Sequence, residues 1–172
     1  MKSSTDRILA ASVVLLAVAL VWVVYGTLEA PVVNAGDKAP NFTVLSDRGR
    51  KITPADFGGK LLVLNFWATW CAPCVEEVPS LNAFQRQFGP KGVVVLGVSV
   101  DVNEKQYKRF LDSFHITFDT WRDPDAAIAS RYGTFEFPET YIIDSSGRVV
   151  QKIISNKDWT DPEFVAQIQK ML

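Results

Sequence analysis

Two apolar runs separated by a helix-length stretch do most to limit what this chain can fold into. "LLVLNFW", Leu61–Trp67, is almost unbroken, as expected for a central strand covered on both faces. "VVVLGVSV", residues 93–100, has the same character. Between them Val75, Val78, Leu81, Phe84 and Phe88 recur at helical spacing, and Gly89-Pro90 stops the pattern. Strand, helix and strand of these lengths make a βαβ unit, with parallel strands and a right-handed crossover.

The flanking segments complete an α/β domain over residues 37–172. A hairpin is expected where Phe42, Val44 and Ile52 alternate around a turn at Asp47-Arg48-Gly49. Helices are expected over residues 104–114 and 125–132, with a short strand over 117–120 between them. Asp123-Pro124 is read as the start of the second helix, cap residue first and proline next. Residues 140–143 and 148–154 pair around "DSSG", and Asp161-Pro162 opens a last helix. The expected result is a mixed sheet with helices on both faces.

Residues 8–25, "ILAASVVLLAVALVWVVY", carry no charge. As a helix they would extend about 27 Å, close to the hydrocarbon thickness of a bilayer. Lys2 and Arg7 precede the run, and the next basic residue is Lys38. By the positive-inside rule residues 1–7 stay in the cytoplasm and everything after the span is translocated, with Trp22 and Tyr25 in the outer aromatic belt. Residues 26–36 read as a linker. A cleaved signal peptide, cut near Val33-Asn34-Ala35, is the competing reading, but its apolar core would be shorter, about 7–15 residues. Both readings put the domain in an oxidising compartment, on the periplasmic side of the cytoplasmic membrane. The formal net charge of −1, with basic residues scattered, excludes an electrostatic case for nucleic-acid binding.

Within "NFWATWCAPC" are the chain's 2 cysteines, Cys71 and Cys74. A disulfide closing so short a loop removes little entropy from the unfolded chain, so this pair is placed to react. It follows the C-terminal end of the first apolar strand, the usual ligand position in open α/β sheets, and opens the next helix. Unpaired N–H groups and the helix dipole favour a thiolate at Cys71, the nucleophile. Cys74, on the same helix face, is within disulfide reach and would resolve the mixed disulfide. Pro73 fits the first turn, where its missing N–H has no partner to lose. A zinc site would need two further ligands, and the sequence has no third cysteine and only 1 histidine, His115. His115, which follows the apolar face of a helix in the insertion, reads as a structural residue.

"FWATWCAPC", the apolar strand before it and "FPETYIID" resemble the membrane-anchored extracytoplasmic thioredoxin-fold proteins of the TlpA/ResA/CcmG (DsbE) type. The resemblance implies a thioredoxin-like fold with an N-terminal β-hairpin and a central insertion, preceded by one transmembrane helix. It implies a thiol-disulfide oxidoreductase that reduces client disulfides in cytochrome c maturation, with apocytochrome c as client. Electrons would come from a membrane thiol-disulfide donor of the DsbD/CcdA kind, and no dissociable cofactor or metal is implied. Pro138 matches the family's cis-proline beside the dithiol, and Phe137 would offer its backbone to a substrate strand. Trp70 would line the surface around Cys71, with Trp67 in the core.

Asn65 stands where thioredoxin keeps a buried aspartate, and an asparagine cannot take the proton of the inner thiol. Glu77, three residues after Cys74 on the same helix face, is the candidate acceptor. Glu139, in the Pro-Glu-Thr motif, is a second candidate for that task or for steering substrate; Glu76 reads as a solvated acid in an early helical turn. Two other classes share parts of this pattern. A peroxiredoxin-like thiol peroxidase places a threonine three positions before its cysteine, whereas Thr69 is two before Cys71. A copper-delivery protein of the Sco type carries CxxxC and a distant histidine, which this spacing does not match.

Overall fold

The first apolar run becomes strand β3, at the centre of the sheet. The computed structural model describes residues 4–28 and 32–172. In chain order the elements are α1 (Ser4–Leu28), β1 (Val44–Leu45), β2 (Lys51–Ile52), β3 (Leu61–Trp67), α2 (Ala72–Phe88), a 3-10 turn (Gly89–Lys91), β4 (Val93–Ser99), α3 (Glu104–Ser113), β5 (Asp119–Arg122), α4 (Ala127–Tyr132), β6 (Glu139–Asp144), β7 (Val149–Ile154) and α5 (Pro162–Met171). The expected thioredoxin-like α/β architecture is borne out: a five-stranded mixed sheet of order β5-β4-β3-β6-β7 plus a separate β1-β2 hairpin. Strand β4 runs parallel to β3 and β5, and β6 runs antiparallel to β3 and β7.

α1 and the domain from Val32 onward are two separate units. Over Thr5–Val24 α1 is long and apolar enough to cross a membrane. Lys2, the Tyr25 side chain and linker residues 29–31 lie outside the described residues.

Every residue of β3 is buried, and alternate side chains enter two cores. Leu61 and Val63 pack with Leu81, Phe84 and Phe88 of α2 and Phe164 and Ile168 of α5. Leu62, Leu64 and Phe66 pack on the other face with Ile128 and Tyr132 of α4 and with Phe42, Val44, Ile52 and Phe57 around the hairpin. Trp67 belongs to the core, as expected, its ring tilted against those of Tyr107 and Phe110 of α3. Gly97 makes that placement possible: a Cβ there would lie 2.9 Å from Trp67 Nε1 and from Phe118.

Two expected boundaries shift. The strand read over 117–120 begins only at Asp119, because Thr117 is drawn aside by Asn82, whose Oδ1 accepts from its N–H (2.8 Å) and its hydroxyl (2.9 Å). The helix read from Asp125 begins at Ala127, so Pro124 is not its first residue. Asp123 still caps it, accepting from the N–H groups of Ala127, Ile128 and Ala129, after a left-handed Ala126 (φ 50°) re-aims the chain.

Candidate active site

Strand β3 ends in a tight turn that delivers Cys71 to the start of α2. Cys71 N–H donates to Ala68 O at 3.2 Å. Thr69, in the middle of the turn, is fixed from the next strand: its N–H (2.9 Å) and hydroxyl (2.6 Å) both donate to the Asp101 carboxylate just beyond β4. Asp101 is itself buried and accepts from Ser99 Oγ at 2.6 Å. This anchor was not read from the sequence, where Asp101 looks like any polar residue ending a strand.

Cys71 is the N-cap of α2, in extended backbone, and its Sγ accepts from Cys74 N–H at 3.3 Å. A sulfur in that place receives the helix's unpaired N–H groups, which stabilises negative charge on it. A disulfide joins Cys71 and Cys74, whose Cα atoms are 5.2 Å apart. Cys71 is 6% exposed and Cys74 1%, so both are sheltered in the disulfide state and Cys71 is the one nearer solvent. Pro73 occupies the first turn of α2, as its missing N–H allows.

The turn before β6 supplies the opposite wall. The Phe137–Pro138 peptide is cis, and Phe137 O lies 3.4 Å from Cys71 Sγ. Trp70 is 64% exposed, with its ring edge-on to Phe137 at 6.0 Å. Dithiol, Phe137-Pro138 and Trp70 are thus brought together, although Phe137 and Trp70 lie far apart in the chain.

Glu77 is 4% exposed, on the inner face of α2. Its Oε1 accepts from Asn65 Nδ2 at 2.8 Å, and its Oε2 from Trp159 Nε1 at 3.2 Å and Lys157 N–H at 3.4 Å. Asn65 Nδ2 also donates to Thr140 Oγ1 at 2.9 Å. Burial pushes the Glu77 carboxyl up to about 7, against the hydrogen bonds from Asn65, Trp159 and Lys157, which pull it down. Glu76 differs: it is exposed and accepts from Asn156 Nδ2 at 3.2 Å.

Glu139 sits on the other face of the sheet. In the β3–β6 register Asn65 pairs with Thr140 and Phe66 with Glu139, so Glu139 and Glu77 are separated by the sheet itself. Glu139 is buried, and its Oε1 meets Lys152 Nζ of β7 at 2.8 Å. Burial pushes the Lys152 ammonium down, but its hydrogen bonds to Glu139 and Tyr141 outweigh this, so its pKa rises. His115 stands just after α3. It is exposed, at the left-handed residue (φ 47°) that ends α3, and it serves the fold through its carbonyl, which accepts from Asn82 Nδ2 at 3.4 Å.

The AhpC/TSA family profile matches residues 35–152, which contain the dithiol, the cis-proline turn and both buried glutamates. The chain belongs to the AhpC/TSA family. A thiol-disulfide oxidoreductase ResA of Bacillus thuringiensis subsp. konkukian is 36% identical over 118 residues, 69% of this chain and 68% of the relative. ResA of Geobacillus thermodenitrificans is 34% identical over 143 residues, 82% of each chain. Among solved structures, one from Chlorobium tepidum assigned to the DsbE thiol:disulfide interchange proteins superposes with a TM-score of 0.72 at 28% identity, covering 81% of this chain and 98% of that one. StoA of Bacillus subtilis, at 19% identity and a TM-score of 0.65, shares the fold. The resemblance to ResA and DsbE drawn from "FWATWCAPC" and "FPETYIID" is therefore borne out, and this AhpC/TSA member is a thiol-disulfide oxidoreductase.

Proposed function

We propose that this enzyme reduces protein disulfides outside the cytoplasmic membrane, with Cys71 as nucleophile, Cys74 as resolving thiol and Glu77 as the proton acceptor for Cys74. The observation that carries the proposal is the pairing of a sulfur N-cap with a buried, near-neutral carboxylate one helical turn beyond Cys74. In the dithiol state the Cys71 thiolate attacks one sulfur of a client disulfide. An enzyme–client mixed disulfide forms and one client thiolate leaves. Glu77 takes the proton of Cys74, and the new thiolate attacks Cys71 Sγ. The Cys71–Cys74 disulfide forms and the second client thiolate is released. Two electrons have passed to the client, and a membrane thiol-disulfide donor of the DsbD/CcdA kind restores the dithiol.

Unaided, Cys74 would be a poor nucleophile, because desolvation raises the pKa of a thiol turned into the interior. A carboxylate with a pKa near the working pH suits proton transfer best. Ionised Glu77 also opposes a second anion at Cys74, which weighs against the reduced form and toward a reducing couple. Trp70 and the Phe137 backbone form the surface for an extended client segment, and the haem-attachment cysteines of apocytochrome c fit that class of client. α1 serves as the anchor, with Arg7 in its first turn and no further basic residue until Lys38 setting the orientation. A peroxidase reading is disfavoured, because the Thr69 hydroxyl is committed to Asp101 and stands two residues before Cys71.

Redox equilibration with glutathione tests the direction. A potential below about −230 mV is expected of a reductant, and one near about −120 mV would make the protein an oxidant.

A further inference from the structure

Glu77 is held by donors from two directions, and one of them lies outside every motif that marks the site. Trp159, in the loop between β7 and α5, is wholly buried. Its ring packs on Phe84 of α2 at 5.5 Å and on Phe164 of α5 at 5.4 Å, so the direction of its N–H is set by the core and not by the carboxylate. The same loop is tied to α2 a second time, where Ser80 Oγ accepts from Trp159 N–H at 3.3 Å. From this seat the indole Nε1–H donates to Glu77 Oε2 at 3.2 Å.

Both carboxylate oxygens of Glu77 face donors: Asn65 on Oε1, Trp159 and Lys157 N–H on Oε2. Oε2 accepts from two donors, so a proton arriving there must displace one of them and leave a buried N–H without an acceptor, whereas Oε1 accepts from Asn65 alone. The donors are uncharged, so they orient the carboxylate without neutralising it. The charged groups of the surrounding elements are engaged elsewhere. Glu76 is exposed and bound by Asn156, Lys157 Nζ lies over the Phe164 ring at 4.6 Å, and Asp158 is exposed and accepts from Thr160. Cys74 is the other titratable group, free to ionise only in the dithiol state, and Thr140 faces the cluster from β6 through Asn65.

We propose that Trp159 is a positioning residue of this oxidoreductase, whose indole N–H aims Glu77 Oε2 and keeps Glu77 in the carboxylate form that accepts the Cys74 proton. The proposal rests on the assignment of Glu77 as that acceptor. A hydrogen bond to a charged acceptor is strong enough for its loss to raise the acceptor's pKa by about one unit. From a starting value of about 7, the carboxylate fraction at neutral pH then falls roughly fivefold.

The test uses the full chain in detergent micelles. In the wild type, the Trp159 indole ¹H–¹⁵N resonance should titrate between pH 5 and 9 with a midpoint near 7, and should stop titrating in Glu77→Gln. This needs no change at Trp159, so it stands even if substitutions there unfold the domain. In Trp159→Phe, which keeps an aromatic ring in the core, the ¹³C-carboxyl midpoint of Glu77 should rise by about one pH unit. Resolution of a preformed mixed disulfide should slow about fivefold at pH 7 and recover by pH 9, with the initial attack by Cys71 unchanged. An indole resonance that ignores pH, or an unmoved Glu77 midpoint in Trp159→Phe, overturns the role of Trp159. A raised midpoint with unaltered resolution upholds the contact but removes Glu77 as proton acceptor, and the catalytic half of the proposal falls with it.

Discussion

Glu77 and Glu139 are both buried at the same end of the sheet, one against each face, and their surroundings differ in kind. Glu77 meets Asn65, Trp159 and a backbone N–H, all neutral. Glu139 meets a lysine ammonium, Lys152, across the β6–β7 pair. Neutral donors orient a carboxylate and leave its charge only partly compensated, so burial can still push its pKa up to about 7. An ammonium at 2.8 Å instead pairs with its carboxylate and joins two strands beside the cis-proline turn. The same residue type, buried to the same degree, is thus suited to proton transfer on one face and to holding the Phe137-Pro138 turn on the other.

The contrast has meaning only if both faces serve one dithiol, and the largest expected effect is there. In Cys74→Ala, turnover of a protein disulfide should fall to background while a mixed disulfide at Cys71 accumulates on non-reducing gels. Trapping through Cys74 in Cys71→Ala instead would reverse the roles.

Next in size is Lys152→Met, which strands the Glu139 carboxylate in the interior. Breaking a buried pair from one side costs about 4 kcal/mol, read as a lowered denaturation midpoint. Glu139→Gln with Lys152→Met should restore most of it. A single variant as stable as the wild type would show that the pair holds nothing.

Glu77 gives the third effect, and its sign is opposite to that of an ordinary paired acid. Below about pH 4.5 the carboxyl is protonated whether the chain is folded or not. Between about 4.5 and 7 only the folded chain keeps the proton, so stability falls as pH rises and that contribution is gone above 7. Relative to Glu77→Gln, the wild type should lose about 3 kcal/mol between pH 4 and pH 8 in urea titrations. A flat difference would show that burial does not raise the Glu77 carboxyl. The same substitution should slow resolution of the mixed disulfide by at least about tenfold at pH 7, whereas Glu139→Gln should not.

The smallest effect concerns the turn that delivers Cys71 to α2. Thr69→Val removes the hydroxyl that donates to Asp101 and should cost about 1 kcal/mol, with alkylation of reduced Cys71 altered severalfold and Cys74 unaffected. Unchanged alkylation would make Asp101 a prop for the fold alone.

The sheet was readable because its evidence is local. Leu61–Trp67 carries its own apolar run, and Asp161-Pro162 carries its own cap, so each element announced itself within a few residues. Thr117 and Asp123-Pro124 misled because the bonds that decide them, from Thr117 to Asn82 on α2 and from three α4 N–H groups to Asp123, are tertiary or lie beyond the expected start. The helical spacing from Cys74 to Glu77 made the candidate acceptor readable; nothing local marked Asp101, Lys152 or Trp159.

Sequence by itself determined the chemistry: two thiols three positions apart at the mouth of a strand–helix unit, and a carboxylate one turn further on. That information sits within one helix, where spacing fixes geometry. Only the tertiary structure decided the surroundings of each acid, because these depend on the face of the sheet and on the donors that meet it there. A carboxylate's pKa is set by the groups that surround it in space, and those of Glu77 come from β3 and from a loop eighty residues away.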